Sequence, residues 1–138
     1  MKNIAETLRD DNRLKTLWSA IEKADIEDVL EEKGPYTVFA PTNDAFDKIP
    51  SDKWNELLND PDELIKTLKY HIVPGKYTSK DVARMKKASS MSGDEITVDT
   101  SKGVRINESK VTETDIEGSN GMIHFIDKPL MPPKHYKK

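Results

Sequence analysis

Apolar residues recur at helical spacing along the first part of the chain. They lie three or four positions apart, as on one face of an α-helix. These residues are Ile4, Leu8, Leu14, Leu17, Trp18, Ile21, Ile26, Val29 and Leu30. The pattern predicts three N-terminal helices. The third ends at Gly34 and Pro35, because a glycine followed by a proline is a common helix stop.

The next segment predicts a short strand followed directly by a helix. Residues 36–39 are rich in residues that favour β-strands. Pro41 has no N–H to donate, so strand pairing is expected to end there. Thr42 is a good helix N-cap, and Asp44 lies in the first turn, where the helix dipole favours a carboxylate.

Two more helical stripes follow, and then a short third one. Trp54, Leu57 and Leu58 lie on one face of a helix that starts at Ser51. Asp60 and Pro61 suit the N-cap and first position of the next helix. Its buried stripe is Leu64, Ile65 and Leu68. After Pro74 and Gly75 turn the chain, Thr78 or Ser79 is expected to cap a short helix with Val82 and Met85 on its inner face.

From residue 87 onward the apolar period changes from helical to alternating. Ile96 and Val98 alternate with polar residues, and Val104 and Ile106 do the same. Turn-forming residues separate these runs at hairpin spacing, and Asn120-Gly121 is a strong hairpin signal. Residues 122–126 are mostly apolar, as in a strand covered on both faces. Helices followed by a meander predict an α+β fold.

Length and charge indicate one folded domain without a strong electrostatic preference. The 138 residues suit a single core, over residues 1–133, with a polar tail at 134–138. The formal net charge is −3, and acids and bases are mixed along the sequence. No basic patch favours nucleic acid, and no polybasic cluster favours an anionic membrane. Because cysteine is absent, disulfides and thiolate chemistry are excluded.

The sequence offers no membrane or secretion signal of its own. No apolar run approaches the 18 residues or so that a spanning helix needs. The first ten residues have no apolar core of a signal peptide. A signal that had been removed would leave the same sequence, so secretion stays open.

The histidines are the residues that most invite a catalytic interpretation. His71 and His124 have no cysteine near them, and no Gly-x-Ser-x-Gly segment supplies a nucleophile. We therefore interpret each as a buried, hydrogen-bonded strand histidine. His71, His124 and His135 lack metal-ligand spacing. The predictions are accordingly no catalytic residue, no metal site and no cofactor.

Three segments, taken together and in order, resemble the fasciclin (FAS1) domain family. Residues 37–46 resemble its first signature block, residues 120–127 its second, and residues 68–75 its tyrosine-histidine block. The resemblance implies a wedge of two antiparallel β-sheets with packed helices, the helices mainly N-terminal. It also marks the residues expected to hold the motifs together, which are Thr42, Asp44, His71, Asn120, Gly121 and His124. Within this set, we expect Asp44 to accept a hydrogen bond from His71.

The resemblance implies a non-enzymatic adhesion or binding module. Such domains lie outside the cell, at the cell surface or in the periplasm, and their partners would be cell-surface or matrix proteins or glycans. Adhesive activity in the family maps to an Asp-Ile pair before the second block and to the tyrosine-histidine region. The matching candidates here are Asp115, Ile116, Tyr70 and His71.

Two alternatives stay open at this stage. Ile116 could be a core residue, with Asp115 shaping the approach to the Asn120-Gly121 turn, since a buried aliphatic rarely supports surface adhesion. The domain could also be a small-molecule binder for lipid or carbohydrate, with a cleft between sheets and helices.

Overall fold

The computed structural model of the protein describes residues 2–31, 34–101, 104–107 and 109–130. Within these ranges, only the backbone of Asp115 is described. Its helices occupy the predicted places. They are α1 (Ile4–Asp10), α2 (Lys15–Ala24), α3 (Glu27–Glu31), α4 (Asn43–Phe46), α5 (Ser51–Leu58), α6 (Pro61–Tyr70) and α7 (Ser79–Arg84), with a 3₁₀ turn at Asn12–Leu14. Since α1 to α6 precede residue 71, the prediction that the helices are mainly N-terminal is confirmed.

The strands fall largely where the alternating pattern predicts them. They are β1 (Tyr36–Pro41), β2 (Ile72–Pro74), β3 (Lys87–Ser89), β4 (Glu95–Asp99), β5 (Arg105–Ile106), β6 (Ser109–Gly118) and β7 (Gly121–Ile126). Their hydrogen-bonded order is β2-β1-β7-β6-β5-β4-β3. The α+β class of the prediction is therefore confirmed for the described residues.

Two details of strand pairing differ from the prediction. The strands are hydrogen-bonded in one continuous order, whereas two antiparallel sheets were predicted. In addition, β1 and β7 pair in parallel, from Tyr36 opposite Gly121 to Pro41 opposite Ile126. They can run parallel because a long crossover separates them, whereas the other pairs are antiparallel. Pro41 belongs to β1, and the pairing is continued by the Thr42 N–H, which donates to the Ile126 carbonyl at 3.4 Å.

The sheet buries both of its faces, which produces the wedge. One face packs against α1 to α6 in a first core that includes Val38, Ile123 and Phe125. On the opposite face, Phe39 and Ile126 share a second core with residues of β4, β5 and α7. Because β1 and β4 are not neighbours in the sheet, the strands must fold over to meet. β7 is buried on both faces, as its apolar sequence predicts.

Side-chain caps fix the ends of several helices. The Thr42 hydroxyl accepts from the Ala45 N–H at 3.3 Å, and Asp60 accepts from the Glu63 N–H at the same distance. Thr78 rather than Ser79 caps α7, where it forms a reciprocal capping box with Asp81. In the described ranges, every helix is too short or too polar to cross a bilayer.

Candidate functional site

His71 lies in the interior, where both ring nitrogens bond to the main chain. Its Nδ1 lies 2.8 Å from the Thr67 carbonyl, and its Nε2 lies 2.7 Å from the Leu130 nitrogen. A carbonyl only accepts and an N–H only donates, so Nδ1 carries the proton and Nε2 accepts. Burial lowers the pKa of His71 to about 4, so the ring is neutral at pH 7.

This geometry corrects two predictions about His71. The expected hydrogen bond with Asp44 is wrong, because Thr67 and Leu130 occupy both ring nitrogens while Asp44 lies exposed in α4. His71 is also not a strand residue: it is the C-cap of α6, directly before β2. The residue joins the end of α6 to the segment that follows β7.

His124 and Tyr70 are buried and take part in structural contacts. The His124 Nε2 lies 2.8 Å from the Tyr77 carbonyl, and its ring stacks on Phe39 with a centroid distance of 5.9 Å. The Tyr70 hydroxyl donates to the Glu95 carbonyl at 2.9 Å and accepts from the Asn107 amide at 3.1 Å. Both side chains are at most 2% exposed. The tyrosine-histidine candidates therefore lie beneath the surface of the folded chain.

Asn120 connects the β6–β7 turn to two distant parts of the chain. Its Oδ1 accepts from the Ile4 N–H at 2.8 Å, and its Nδ2 donates to the Leu30 carbonyl, also at 2.8 Å. Its main-chain carbonyl accepts from the Tyr36 N–H at 3.0 Å. The sequence marks Asn120 as a turn residue, but these partners follow only from the fold.

Gly121 is required because β1 lies directly against it. A Cβ at this position would lie 1.9 Å from the Tyr36 carbonyl oxygen. No side chain larger than hydrogen fits there without moving β1 away from β7. The turn between β6 and β7 consists of Ser119 and Asn120, whereas Gly121 is the first residue of β7 and permits its parallel pairing with β1.

Sequence reasoning missed Asn43, which follows the capping threonine. Its Oδ1 accepts from the Thr16 N–H at 2.9 Å, and its Nδ2 donates to the Asn12 carbonyl at 2.8 Å. The side chain therefore ties α4 to the start of α2. Its position between Thr42 and Asp44 in the first signature block was the available signal.

The Asp115-Ile116 pair lies in an irregular stretch of β6. The register runs from Val111 opposite Ile126, through Glu113 opposite Phe125, to Ile116 opposite Ile123, and it shifts in both intervals. Each interval has one more residue in β6 than in β7, which is the arrangement of a β-bulge. Ile116 is half-buried against the first core. The backbone of residue 115 thus belongs to the second bulge.

Ion pairs anchor the strand on both sides of this bulge. The Arg13 guanidinium contacts both Glu113 carboxylate oxygens at 3.1 Å and lies 4.6 Å from the centre of the Phe125 ring. Arg13 also bonds to Asp11 and holds the pKa of that carboxyl below its usual range. Beyond the bulge, Lys76 pairs with Glu117. Between the two ion pairs, Thr114 is exposed and Ile116 is half-buried.

The residue types that support hydrolytic or metal chemistry are dispersed in the described part of the chain. There, no three histidine, aspartate or glutamate side chains come together as a metal site. His71 and His124 each bond to main-chain groups on different elements. Thr112, Glu113, Thr114 and Glu117 of β6 are exposed.

Similarity to known proteins covers nearly all of the chain. The Fasciclin domain model matches residues 12–132. The Synechocystis sp. protein sll1735 is 39% identical over 131 residues, which are 95% of this chain and 98% of that protein. Transforming growth factor-beta-induced protein ig-h3 of Sus scrofa is 37% identical over 134 residues, but the match spans only 20% of its length.

A solved structure shows the same fold. The FAS1 domain pair from the insect cell adhesion molecule Fasciclin I matches with a TM-score of 0.80 at 22% identity. The match covers 96% of this chain and 52% of that one. With the family match over residues 12–132 and the three signature segments at the centre of the structure, this chain belongs to the Fasciclin domain family.

Proposed function

We propose that this chain is a non-enzymatic adhesion or binding module that works outside the cell, at the cell surface or in the periplasm. The observation that carries the proposal is the bulged stretch of β6, where Thr112, Glu113, Thr114 and Glu117 are exposed. Bulges are frequent where a strand must re-aim a side chain toward a binding partner. The similar insect chain comes from a cell adhesion molecule, which supports the same role here.

The contact surface of this module is centred on Asp115 and its neighbours. Thr112, Glu113 and Thr114 are exposed, and Glu117 is exposed beyond the bulge. Ile116 anchors the stretch by packing inward, so the polar residues beside it form the contact. The partner is a cell-surface or matrix protein or glycan. Weak affinity at one such small surface rises when many copies are displayed together.

The cleft beside His124 is too small to serve as a small-molecule site. Phe39, Val82, Val104 and Val111 line it, and its cavity volume is about 10 Å³. Typical ligand pockets hold about 300–1,000 Å³, so a lipid or an oligosaccharide exceeds this cleft. A screen of lipids and sugars by thermal shift is expected to leave Tm unchanged, whereas a saturable rise would favour the alternative.

The adhesion proposal is tested by dense display of the domain on beads. Wild type is expected to bind cells or envelope material, and Asp115→Asn to bind at least about fivefold less, since a central charged contact is worth about 1 kcal/mol or more. Asp52→Asn, an exposed change in α5, is the matched control and is expected to bind as wild type does. Loss in both variants, or in neither, would contradict a contact at Asp115.

The anchoring role of Ile116 needs a separate variant. Ile116→Val removes one methylene from a half-buried side chain and is expected to lower the free energy of unfolding by about 1 kcal/mol with bead binding retained. If binding falls while the fold is unchanged, Ile116 itself contacts the partner. The absence of binding by wild type at any bead density would reject the adhesion function as a whole.

A further inference from the structure

A short basic surface lies on the outside of α7 and the start of β3. It consists of Lys80, Arg84, Lys86 and Lys87, and all four side chains are exposed. Lys80 and Arg84 are four residues apart, so they lie one above the other on α7. The sequence mixes these cations with apolar residues, and only the fold separates the two sets.

The inner side of α7 explains why the cations face outward together. Val82 is 2% exposed and packs in the second core, and Met85 is half-buried against the same core. The Lys86 carbonyl accepts from the Val98 N–H at 2.9 Å, which fixes the chain as it leaves the helix. With both apolar residues directed inward, the basic side chains are left along one ridge.

The cations of this surface are free of ion pairs within the part of the chain that the structure describes. The nearest acid in sequence, Asp81, accepts from the Thr78 N–H at 3.0 Å as part of the capping box. Glu95 and Asp99 are exposed on β4, which pairs with β3. Their negative charges therefore lower the positive electrostatic potential near Lys87. With three cations and the carboxylate of Asp81, the segment from Lys80 to Lys86 carries a formal charge of +2.

From this surface we infer a binding site for an acidic polysaccharide, separate from the β6 contact. Three of the four cations are lysines, which act as point charges and suit a flexible polyanion. The ridge offers only Ala83 as an exposed apolar residue, whereas a protein interface needs an apolar centre. It also lacks an apolar face to insert into a bilayer.

Nucleic acid fits the same surface less well. Proteins that hold single strands stack bases on aromatic side chains. Residues 78–89 contain no aromatic residue, and the nearby Tyr77 is half-buried with its ring close to Gly75. With six residues, α7 is also too short to follow a duplex groove. A linear sugar polymer that carries carboxylates or sulfates requires only spaced cations.

The test measures binding of the intact chain to heparin, polygalacturonate, neutral dextran and duplex DNA at low ionic strength. Wild type is expected to bind the two acidic polysaccharides but not dextran. The variant Lys80→Gln, Arg84→Gln, Lys86→Gln is expected to bind them about tenfold more weakly. The slope of log affinity against log salt should also decrease, because fewer counterions are released.

A matched variant removes the same charge elsewhere. Lys15→Gln, Lys23→Gln, Lys53→Gln changes three exposed lysines on α2 and α5 and is expected to bind within about twofold of wild type. Equal loss in both variants would show that only net charge matters and would overturn the site. So would failure of wild type to bind either acidic polysaccharide.

Two further comparisons complete the experiment, one with duplex DNA and one with the Asp115→Asn variant. If duplex DNA binds as tightly as the polysaccharides, the assignment to polysaccharide is overturned in favour of a general polyanion surface. The Asp115→Asn variant is expected to keep polysaccharide binding while it loses bead adhesion, so the two proposals fail independently. Circular dichroism and Tm confirm in each case that the variant is folded.

Discussion

The main-chain N–H of Leu130 donates a 2.7 Å hydrogen bond to Nε2 of His71, a residue 59 positions earlier in the sequence. Leu130 is itself 2% exposed and packs in the second core. Through this bond the neutral imidazole holds the segment after β7 against the end of α6. The histidine of the tyrosine-histidine block therefore stabilises the closure of the fold.

Protonation of His71 is predicted to destabilise the protein in mild acid. Its folded pKa of about 4 lies below the ordinary value of 6.5, so the unfolded chain takes up the proton first. The contribution of neutral His71 to the free energy of unfolding is fully present above about pH 6.5. This contribution is lost as the pH falls toward 4. The expected loss is about 3 kcal/mol by chemical denaturation between pH 7.5 and pH 4.

The variant His71→Gln isolates this contribution. It is expected to be less stable than wild type at pH 7.5 and to show a flatter stability profile over the same range. Carboxylates whose pKa is lowered, such as Asp10 at about 2, lose their contribution below this range. If wild type and His71→Gln have the same slope, His71 is not the titrating group.

Asn120→Ala is predicted to destabilise the fold without changing its surface. The substitution leaves the Ile4 N–H and the Leu30 carbonyl without their partner in a buried site. Each of the two unsatisfied groups costs about 1–3 kcal/mol, so a loss of about 2–6 kcal/mol is expected in urea denaturation. Asn55→Ala, an exposed change in α5, should cost less than about 0.5 kcal/mol. Similar losses in the two variants would contradict the role given to Asn120.

Gly121→Ala is predicted to be among the most damaging single changes. The new methyl group would meet the Tyr36 carbonyl oxygen at 1.9 Å and force β1 away from β7. We expect a loss of at least about 3 kcal/mol, or a failure to fold. Gly93→Ala is the comparison: its φ is +95°, but a Cβ there contacts nothing within 4 Å. That variant should lose about 1–2 kcal/mol, from backbone strain alone. A Gly121→Ala protein with a wild-type Tm would show that the strands adjust.

Helix caps and turns show how much of the fold is predictable from the sequence. Thr42 at the start of α4, Asp60 with Pro61 at the start of α6 and the chain reversal before β7 are all predictable, because each depends on its own neighbours in sequence. The reversal uses Ser119 and Asn120, however, and Gly121 is the first residue of β7. The partner of His71 was not predictable. Asp44 is a chemically reasonable acceptor, but burial of the ring against Thr67 and Leu130 is a property of the assembled core.

The candidate site was also predictable only in part. The sequence placed Asp115 and Ile116 just before the turn and marked Tyr70 and His71 as a second candidate pair. Burial removed Tyr70 and His71 from the surface, and the register shifts put residue 115 in a bulge of β6. Neither result has a local signal, since burial depends on what packs from elsewhere and a bulge depends on the facing strand.

By itself, the sequence determined the helices, most of the strands, the turns, the α+β class and the Fasciclin resemblance, because periodicity, caps and turn residues act over a few positions. Tertiary structure decided what needs distant partners. It set the parallel pairing of β1 with β7 and the neutral state of His71. It also gathered Lys80, Arg84 and Lys86 on one ridge, because only the packing of Val82 against the second core fixes which side of α7 faces outward.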